Sequence, residues 1–378
     1  MRTPRRTLFI VITVLLVVSS LDAKFATIGD ETSQPLNLAI LVEGRVGIKR
    51  QGWSNYAPLA FGAELRPGDL LQIPESSQMQ VVCADLTLHS VAPGLAGVPC
   101  NSPEPVLRRP DDSLMRATRG KSVDGSFPVV LTPRATKVLS STPNLRWTAV
   151  PGAKQYSVVI RGIDFEWTYA VPETEMVYPS SAPPLKPGVA YKLIVETGGK
   201  SSSEEAGLGL GFSILDSYER AGVLEGQKQI ERLGLRRGPT EFLLAHLYAT
   251  HGLNADAIQT LEALSSTFKV AAVRRFLGDL YCHVGLFRKA EDNYLSSLSL
   301  SEAGGDQETQ LLAHAGLARI YAESFGNTTS AIMQLDAASA TAKSLGATSL
   351  IRDIDERVAL LRKTGTGTSS PASPGTRP

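Results

Sequence analysis

Histidine, cysteine and aromatic residues are scarce in this chain, and their scarcity narrows the chemistry that it can perform. It has five histidines, and none lies at the His-x-x-x-His spacing that would place two metal ligands on one helix face. Cys282 and His283 are adjacent, so on a helix they point about 100° apart and cannot readily share a metal. We therefore expect neither a metal site nor a cofactor.

Other signatures of catalysis and of nucleic-acid binding are missing as well. The Gly-x-Ser-x-Gly elbow that presents a nucleophilic serine does not occur. Charge is balanced, with 38 basic and 37 acidic residues, so no net field favours nucleic acid. We expect a protein that is not an enzyme and binds no nucleic acid, and we rank an unrecognised enzyme far behind.

No apolar run in the chain is as long as a membrane helix needs. The longest apolar run lies at the N-terminus. Arg2, Arg5 and Arg6 precede an apolar stretch at positions 8–18, and Ala23 follows. A membrane helix needs about 20 apolar residues, so this pattern predicts a cleaved signal segment at 1–23. We expect export to the periplasm or cell envelope, and an uncleaved segment would instead tether the chain to a membrane.

The chain has three cysteines, and export decides how they are used. Cys83 and Cys100 lie in one predicted domain and can form a disulfide in an oxidising compartment. In the chain-entropy model a loop of this length contributes about 3 kcal/mol. Cys282 lies on a predicted helix and is expected to be a small buried residue.

The remaining composition is that of an ordinary globular protein with two or three domains. Hydrophobic residues make up 43% of the 378 positions, enough for a sizeable core. From position 36 the apolar residues Leu38, Ile40 and Val42 alternate with their neighbours, as in a strand. Pro67-Gly68-Asp69 then supplies turn chemistry between two further strands.

Positions 36–100 resemble the ligand-sensing β-domain of the FecR family of iron-dicitrate sensors. The shared elements are Gly44-Arg45-Val46, the run Leu65–Leu71 with its Gly-Asp turn, and a strand that ends near Asp85. The resemblance covers about 60 residues. Those regulators usually carry a cytoplasmic anti-sigma segment and a membrane helix before the β-domain. Only a signal segment precedes it here, so the resemblance does not imply sigma-factor regulation.

A Pro-rich and polar stretch at 101–128 predicts a linker, and a second β unit follows at 129–212. Five short strands separated by Pro-Gly turns indicate an antiparallel sandwich. The stretch 143–156, which contains Trp147, resembles a fibronectin type III or immunoglobulin-like module, with Trp147 as the core aromatic. We expect Trp167 to be core as well, rather than a contact residue.

The C-terminal half, positions 213–362, shows a helical repeat. Three residues recur 33 positions later, and the pairs are Tyr248 and Tyr281, Gly252 and Gly285, Ala257 and Ala290. A period of about 34 residues with this pattern is the tetratricopeptide (TPR) signature. We expect a helix capped by Ser213 before the repeats, a stretched third repeat, and a closing helix from Ser349 to Arg362. Positions 363–378 are predicted to be a disordered tail.

The predicted fold is thus an all-β N-terminal half followed by an all-α TPR solenoid. In TPR domains the inner helix of each repeat lines a concave face that commonly holds a protein segment. Carried over to this chain, the matching residues are Phe242, His246, Thr250, Arg275, Asp279, His283, Arg319 and Glu323. Arg275 and Arg319 are candidates for clamping a carboxylate. The competing interpretation is that these polar positions are simply a solvated surface.

The sequence therefore predicts an exported adaptor that binds a protein or peptide through its repeats. The alternative is a structural protein of the cell envelope, in which the FecR-like domain binds a surface polymer and the repeats pack internally. The sequence names neither the partner nor the oligomeric state.

Overall fold

Strands make up the first half of the chain and helices the second, as the sequence patterns predict. The computed structural model describes residues 34–101, 104–109, 126–205 and 210–365. The predicted signal segment lies outside the described residues, as do positions 110–125 of the predicted linker and 366–378 of the predicted tail.

Within these ranges we number seventeen strands and eight helices in chain order. The strands are β1 (Asn37–Glu43), β2 (Gly47–Lys49), β3 (Ala57–Pro58), β4 (Glu64–Leu65), β5 (Leu70–Ile73), β6 (Gln78–Val82), β7 (Leu88–Val91), β8 (Gly94–Gly97), β9 (Val130–Thr132), β10 (Thr136–Val138), β11 (Asn144–Trp147), β12 (Tyr156–Gly162), β13 (Phe165–Val171), β14 (Glu175–Val177), β15 (Ala190–Thr197), β16 (Lys200–Ser201) and β17 (Phe212–Ile214). The helices are α1 (Ser217–Arg232), α2 (Arg237–Thr250), α3 (Asn254–Thr267), α4 (Ala271–His283), α5 (Phe287–Gly304), α6 (Gln307–Glu323), α7 (Thr328–Leu345) and α8 (Thr348–Gly365).

The N-terminal β-domain, residues 34–109, contains two four-stranded antiparallel sheets. Their strand orders are β4-β1-β6-β7 and β3-β2-β5-β8. Leu38 and Ile40 of β1 are buried in the core, as the period-two pattern predicts. In the predicted Pro-Gly-Asp turn, the carboxylate of Asp69 accepts a hydrogen bond from the backbone N–H of Arg66, which closes the turn before β5.

The predicted disulfide between Cys83 and Cys100 is confirmed. The two Cα atoms lie 5.4 Å apart, and the cysteines are separated by 17 positions. Cys83 follows β6 and Cys100 follows β8, so the bond joins the two sheets of the β-domain. Cys282 is free and buried, and burial raises the pKa of its thiol to about 11.

Part of the predicted linker belongs to the β-domain. Leu107 is fully buried, and its N–H donates a hydrogen bond to the carbonyl of Ala84. Arg108 forms a β-bridge with Pro35. Nearby prolines predicted an exposed connection, but one leucine among them packs into the core.

The β-sandwich, residues 126–214, packs a six-stranded sheet against a three-stranded one. The six-stranded sheet has the order β10-β17-β15-β12-β13 with β16 on β15, and the smaller sheet has the order β14-β11-β9. Trp147 is buried between them, as predicted, and meets Tyr156 edge-on at a centroid distance of 5.7 Å. Trp167 is half-buried and packs against the same core.

The helices pair in chain order and form the predicted repeats. α2 packs on α3, α4 on α5 and α6 on α7, with α1 and α8 at the two ends. Gly252 and Gly285 follow α2 and α4 with φ of 71° and 76°, a conformation that side chains disfavour. Ala257 and Ala290 are fully buried, where small side chains let paired helices approach closely.

Two boundaries of the helical region differ from the prediction. Ser213 does not cap a helix, because it lies in β17 between two residues buried in the sandwich. Asp216 caps α1 instead, accepting a hydrogen bond from the N–H of Glu219. The last helix was predicted to end at Arg362 and continues to Gly365.

Candidate functional site

The candidate site is the surface lined by the first helix of each pair, α2, α4 and α6, which we call the inner face. In this structure the N-terminal β-domain lies against it. Phe61 contacts α2, Glu64 contacts α4 and Arg50 contacts α6. The surface predicted to hold a protein segment therefore holds one from its own chain.

An aromatic cluster joins the β-domain to the first repeat. The ring centroid of Phe61 lies 5.1 Å from that of Phe242 on α2 and 5.2 Å from that of Phe268. Gly62 follows with φ of +79°, and a Cβ built there would stand 2.6 Å from the Cβ of Ala272. Glycine is thus what allows the backbone of the β-domain to approach α4 this closely.

Beside this cluster, the Glu64 carboxylate bridges the β-domain and the repeats. It accepts hydrogen bonds from Arg109 of the β-domain and, at 3.4 Å, from Arg275 of α4. Burial alone would raise the pKa of Glu64, but Arg109 and Arg275 outweigh burial and hold the pKa at about 2. Arg275 therefore pairs with two carboxylates of its own chain, Glu64 of the β-domain and, at 2.5 Å, Asp279 of α4.

Arg50 makes a second connection and reaches α6. Its guanidinium donates hydrogen bonds to Asp69 at 2.5 Å, to the backbone carbonyl of Glu64 at 2.7 Å and to Glu308 at 2.7 Å. The side chains of Arg50 and Asp69 are 7% and 3% exposed, so this network is shielded from water. Breaking such a buried pair commonly costs about 3–5 kcal/mol, because one charge is left unpaired.

His246 lies beside the aromatic cluster and Glu64 as a neutral ring. It stacks on Phe276 at a centroid distance of 4.0 Å and meets Phe242 edge-on at 4.7 Å. Burial lowers the pKa of His246 to about 3, although Glu64 acts in the opposite direction. Neither ring nitrogen has a hydrogen-bond partner among the described residues. His246 thus packs as an aromatic side chain and not as an acid or base.

Three other predicted groove residues lie beside this interior, and two of them, Thr250 and Asp279, are only half-buried. The hydroxyl of Thr250 donates to the backbone carbonyl of Arg108 at 2.8 Å, which is a further contact with the β-domain. Asp279 accepts a hydrogen bond from the hydroxyl of Tyr294 at 2.8 Å. His283 is 7% exposed.

The third repeat is less covered than the first two. Arg319 is half-buried, with its Nη2 atom 3.8 Å from the sulfur of Cys282. Glu323, near the end of α6, is exposed. The predicted groove is therefore covered along its first two repeats and reaches solvent at Glu323.

The sequence patterns did not reveal the β-domain's side of this interface. Glu64 and Arg50 find their helical partners 211 and 258 positions further along the chain, beyond the reach of any local spacing. One signal was available. Charged residues in or beside the strands of a β core need partners when they become buried, and Glu64 begins β4 while Arg50 directly follows β2.

The β-sandwich is fixed to the same repeats at the turns between their helices. Buried Arg134 donates to both carboxylate oxygens of Glu205, and its Nε donates to the carbonyl of Val284 at 2.6 Å. The N–H of Lys137 donates to the carbonyl of Gly252 at 2.8 Å. The glycine turns that mark the repeats are also where the sandwich attaches.

A cavity of about 140 Å³ lies between the β-sandwich and the first two repeats. Its walls include Arg146 from β11, Glu262 from α3 and Lys289 from α5. Glu262 lies 3.6 Å from Arg146 and 3.9 Å from Lys289, and it accepts a hydrogen bond from Tyr281. Glu262 thus pairs with one cation from the sandwich and one from the repeats, which suits a junction between two domains.

Two further properties concern the described part of the chain. It contains no group of three or more His, Cys, Asp or Glu side chains placed to hold a metal ion. None of its helices combines the length and the apolar character needed to cross a membrane.

Compared with known protein families and with curated proteins, the sequence matches neither. Among solved structures, it is similar to two crystal structures of MamA, with 14% and 15% identity and a TM-score of 0.22 for each. These alignments cover 39% and 41% of this chain and 91% and 88% of the MamA chains. A structure of BtubC (BKLC) from P. vanneervenii has 17% identity and a TM-score of 0.21, over 43% of this chain and 80% of BtubC. Similarities of this size carry no argument about function.

Proposed function

We propose that this protein is an exported, non-enzymatic adaptor that binds a protein segment on the inner face of its helical repeats. In this proposal the N-terminal β-domain is FecR-like, the β-sandwich is of the fibronectin III or immunoglobulin type, and the helices are TPR repeats. The predicted signal segment supports export to the periplasm or cell envelope.

One observation supports this function above the others. The inner face accommodates Phe61 in an aromatic pocket formed by Phe242 and Phe268, and Arg275 holds the carboxylate of Glu64. Aromatic anchors and arginine–carboxylate pairs are the contacts by which protein surfaces commonly recognise one another. The partner segment in this proposal carries an aromatic residue and, three positions later, an acidic one. It competes with the β-domain for the same face.

Capture of partners from an envelope extract with the full chain tests the adaptor function. Phe61→Ala combined with Glu64→Ala weakens the chain's own segment and should increase partner recovery. Arg275→Ala combined with Arg319→Ala should abolish recovery, while Arg288→Ala, at a side chain 66% exposed on α5, serves as the matched control. Circular dichroism confirms that each variant is folded. Equal recovery with all variants would show that the inner face is not the receptor.

The buried network at Arg50 favours a second candidate, because it holds the inner face closed. In this alternative the chain is a structural envelope protein whose FecR-like domain binds a surface polymer, and the repeats serve as an internal support. Co-sedimentation of the full chain with purified cell-wall polymer distinguishes the two. Polymer binding that is unaffected by Arg275→Ala would favour the structural protein. If the chain does not bind the polymer, the adaptor remains the better explanation.

A further inference from the structure

The outer strand β13 of the six-stranded sheet has an uncovered hydrogen-bonding edge. Within the described strands, β13 pairs with β12 alone. Its seven residues make it the longest of the edge strands, since β7 and β8 have four residues each and β3, β4, β9 and β14 have two or three. The edge of β10 is different, because Lys137 of that strand bonds to Gly252 of the repeats.

This edge has only one of the features by which proteins usually prevent edge-to-edge pairing, the charge of Glu166, and that charge is paired with Arg161 of β12. Sheet edges are commonly protected by lysine, by proline, by short length or by a β-bulge. The residues of β13, Phe165–Val171, include neither lysine nor proline. All seven pair with β12 in one continuous register, from Phe165 opposite Gly162 to Val171 opposite Tyr156. A straight edge of about 20 Å is therefore presented to solvent.

The side chains of β13 are complementary to a second copy of the same strand. If two copies pair antiparallel about a two-fold axis at Thr168, all seven residues of each are used. Trp167 then faces Tyr169 of the other copy on one side of the sheet, and Glu166 faces Ala170 on the other side. No like charges meet, and aromatic cross-strand pairs are among the favourable ones.

The aromatic residues are already placed for this pairing. Trp167 and Tyr169 lie parallel, with an interplanar angle of 1° and a centroid distance of 5.8 Å, and Trp167 meets Tyr178 edge-on at a centroid distance of 4.8 Å. Tyr169 remains 50% exposed, which is a large apolar exposure for a strand residue pointing to the core side. A second copy would cover it.

We propose that two copies of this chain associate through β13, which joins their six-stranded sheets into one continuous antiparallel sheet across a two-fold axis. The occupant of the edge is a second copy, because this pairing places Trp167 opposite the exposed Tyr169 and brings no like charges together. This inference does not depend on the proposed adaptor function, since β13 lies in the sandwich and not on the inner face.

The test introduces a charge at position 168, because in the proposed dimer this residue faces its own counterpart across the two-fold axis. Sedimentation velocity of the purified full-length protein over a dilution series should show a dimer. Thr168→Lys and Thr168→Glu should each raise the dissociation constant by about tenfold or more, because like charges lie directly opposite each other. An equimolar mixture of the two variants should restore the dimer.

Two control variants test whether the effect of charge is specific to this edge. Thr168→Val keeps a β-branched residue at the exposed position and should preserve the dimer. Ser90→Lys adds the same charge to the shorter edge strand β7 and should leave the dimer unchanged. A monomeric wild-type chain overturns the proposal, as does a dimer that persists in Thr168→Lys or a mixture that remains monomeric.

Discussion

His246 sits on the inner face with neither ring nitrogen bonded among the described residues, an arrangement that costs free energy in a buried site. Burial lowers its pKa from 6.5 to about 3. A base with a lowered pKa binds protons more readily in the unfolded chain. Protonation of His246 therefore favours the unfolded chain. The stability that depends on the neutral ring is complete above the ordinary pKa of about 6.5 and is lost as the pH falls towards about 3.

Replacing His246 with phenylalanine should stabilise the protein. His246→Phe keeps an aromatic ring between Phe242 and Phe276, removes two unpaired nitrogens and removes a group that unfolding protonates. We expect the free energy of unfolding at pH 5 to rise by about 1–3 kcal/mol, with a smaller gain at pH 7. Urea denaturation at both pH values measures this. If His89→Phe on β7 raised the free energy of unfolding by the same amount, added apolar surface alone would explain the effect.

Arg134 provides a second prediction about a single residue. It is 2% exposed and joins Glu205 to the carbonyl of Val284. Arg134→Met should lower the free energy of unfolding by about 3–5 kcal/mol, because Glu205 stays buried without its partner. The double variant Arg134→Met/Glu205→Leu should recover much of the loss in the same denaturation experiment. A single and a double variant of equal stability would contradict this account.

At the scale of elements, one tyrosine determines how closely three helices pack. Tyr294 of α5 lies over Gly278 of α4 and Gly316 of α6. A Cβ at these glycines would stand 2.7 Å and 2.5 Å from the tyrosine ring. The ring cannot move freely, because its hydroxyl is bonded to Asp279. The two glycines are thus required by packing, although both lie inside helices.

Gly316→Ala should consequently destabilise the protein even though alanine favours helices. We expect overpacking against Tyr294 to lower the free energy of unfolding by about 1–3 kcal/mol. Gly222→Ala in α1 is the matched control, because a Cβ at this exposed position would have no neighbouring atom within 4 Å. The control should gain about 0.5–1 kcal/mol from helix propensity. Thermal denaturation compares the two, and a stabilised Gly316→Ala would refute the packing argument.

At the scale of the whole molecule, the helical repeats hold both β units. The β-domain lies on the inner face through Phe61, Glu64 and Arg50. The β-sandwich attaches at the turns between helices through Arg134 and Lys137. Because Glu64 and Arg50 make largely buried ion pairs with the inner face, these two connections respond little to salt and strongly to the loss of one partner.

Arg50→Met should loosen the β-domain from the repeats. It removes the link to Glu308 and leaves Asp69 and Glu308 without their buried cation. We expect a loss of about 3–5 kcal/mol in unfolding free energy, with faster hydrogen exchange in α2, α4 and α6 than in the sandwich. Arg232→Met, which breaks an ion pair at a side chain 68% exposed, should change stability by about 0–1 kcal/mol. Uniform exchange changes across all units would argue against local loosening.

The sequence predicted the residues that the repeats contribute to the candidate site, but not those that the β-domain contributes. The 33-residue spacing of Gly252 and Gly285 located the helix turns, and the resemblance to TPR repeats assigned Phe242 and Arg275 to the inner face. The pairing of Cys83 with Cys100 was predicted from export and from their place in one predicted domain, and the structure contains this disulfide. What the spacing did not indicate is that these inner-face residues are covered by the β-domain.

Local periodicity alone determined the order of strands and helices, because alternation and helical spacing depend on neighbours within a few residues. The tertiary structure decided three further things: the burial of Leu107, the placement of Ser213 in a strand and the occupant of the inner face. Each depends on contacts between distant segments. Burial and charge pairing across such separations leave no periodic trace in the sequence, so only the folded chain reveals that Glu64 fills the clamp of Arg275.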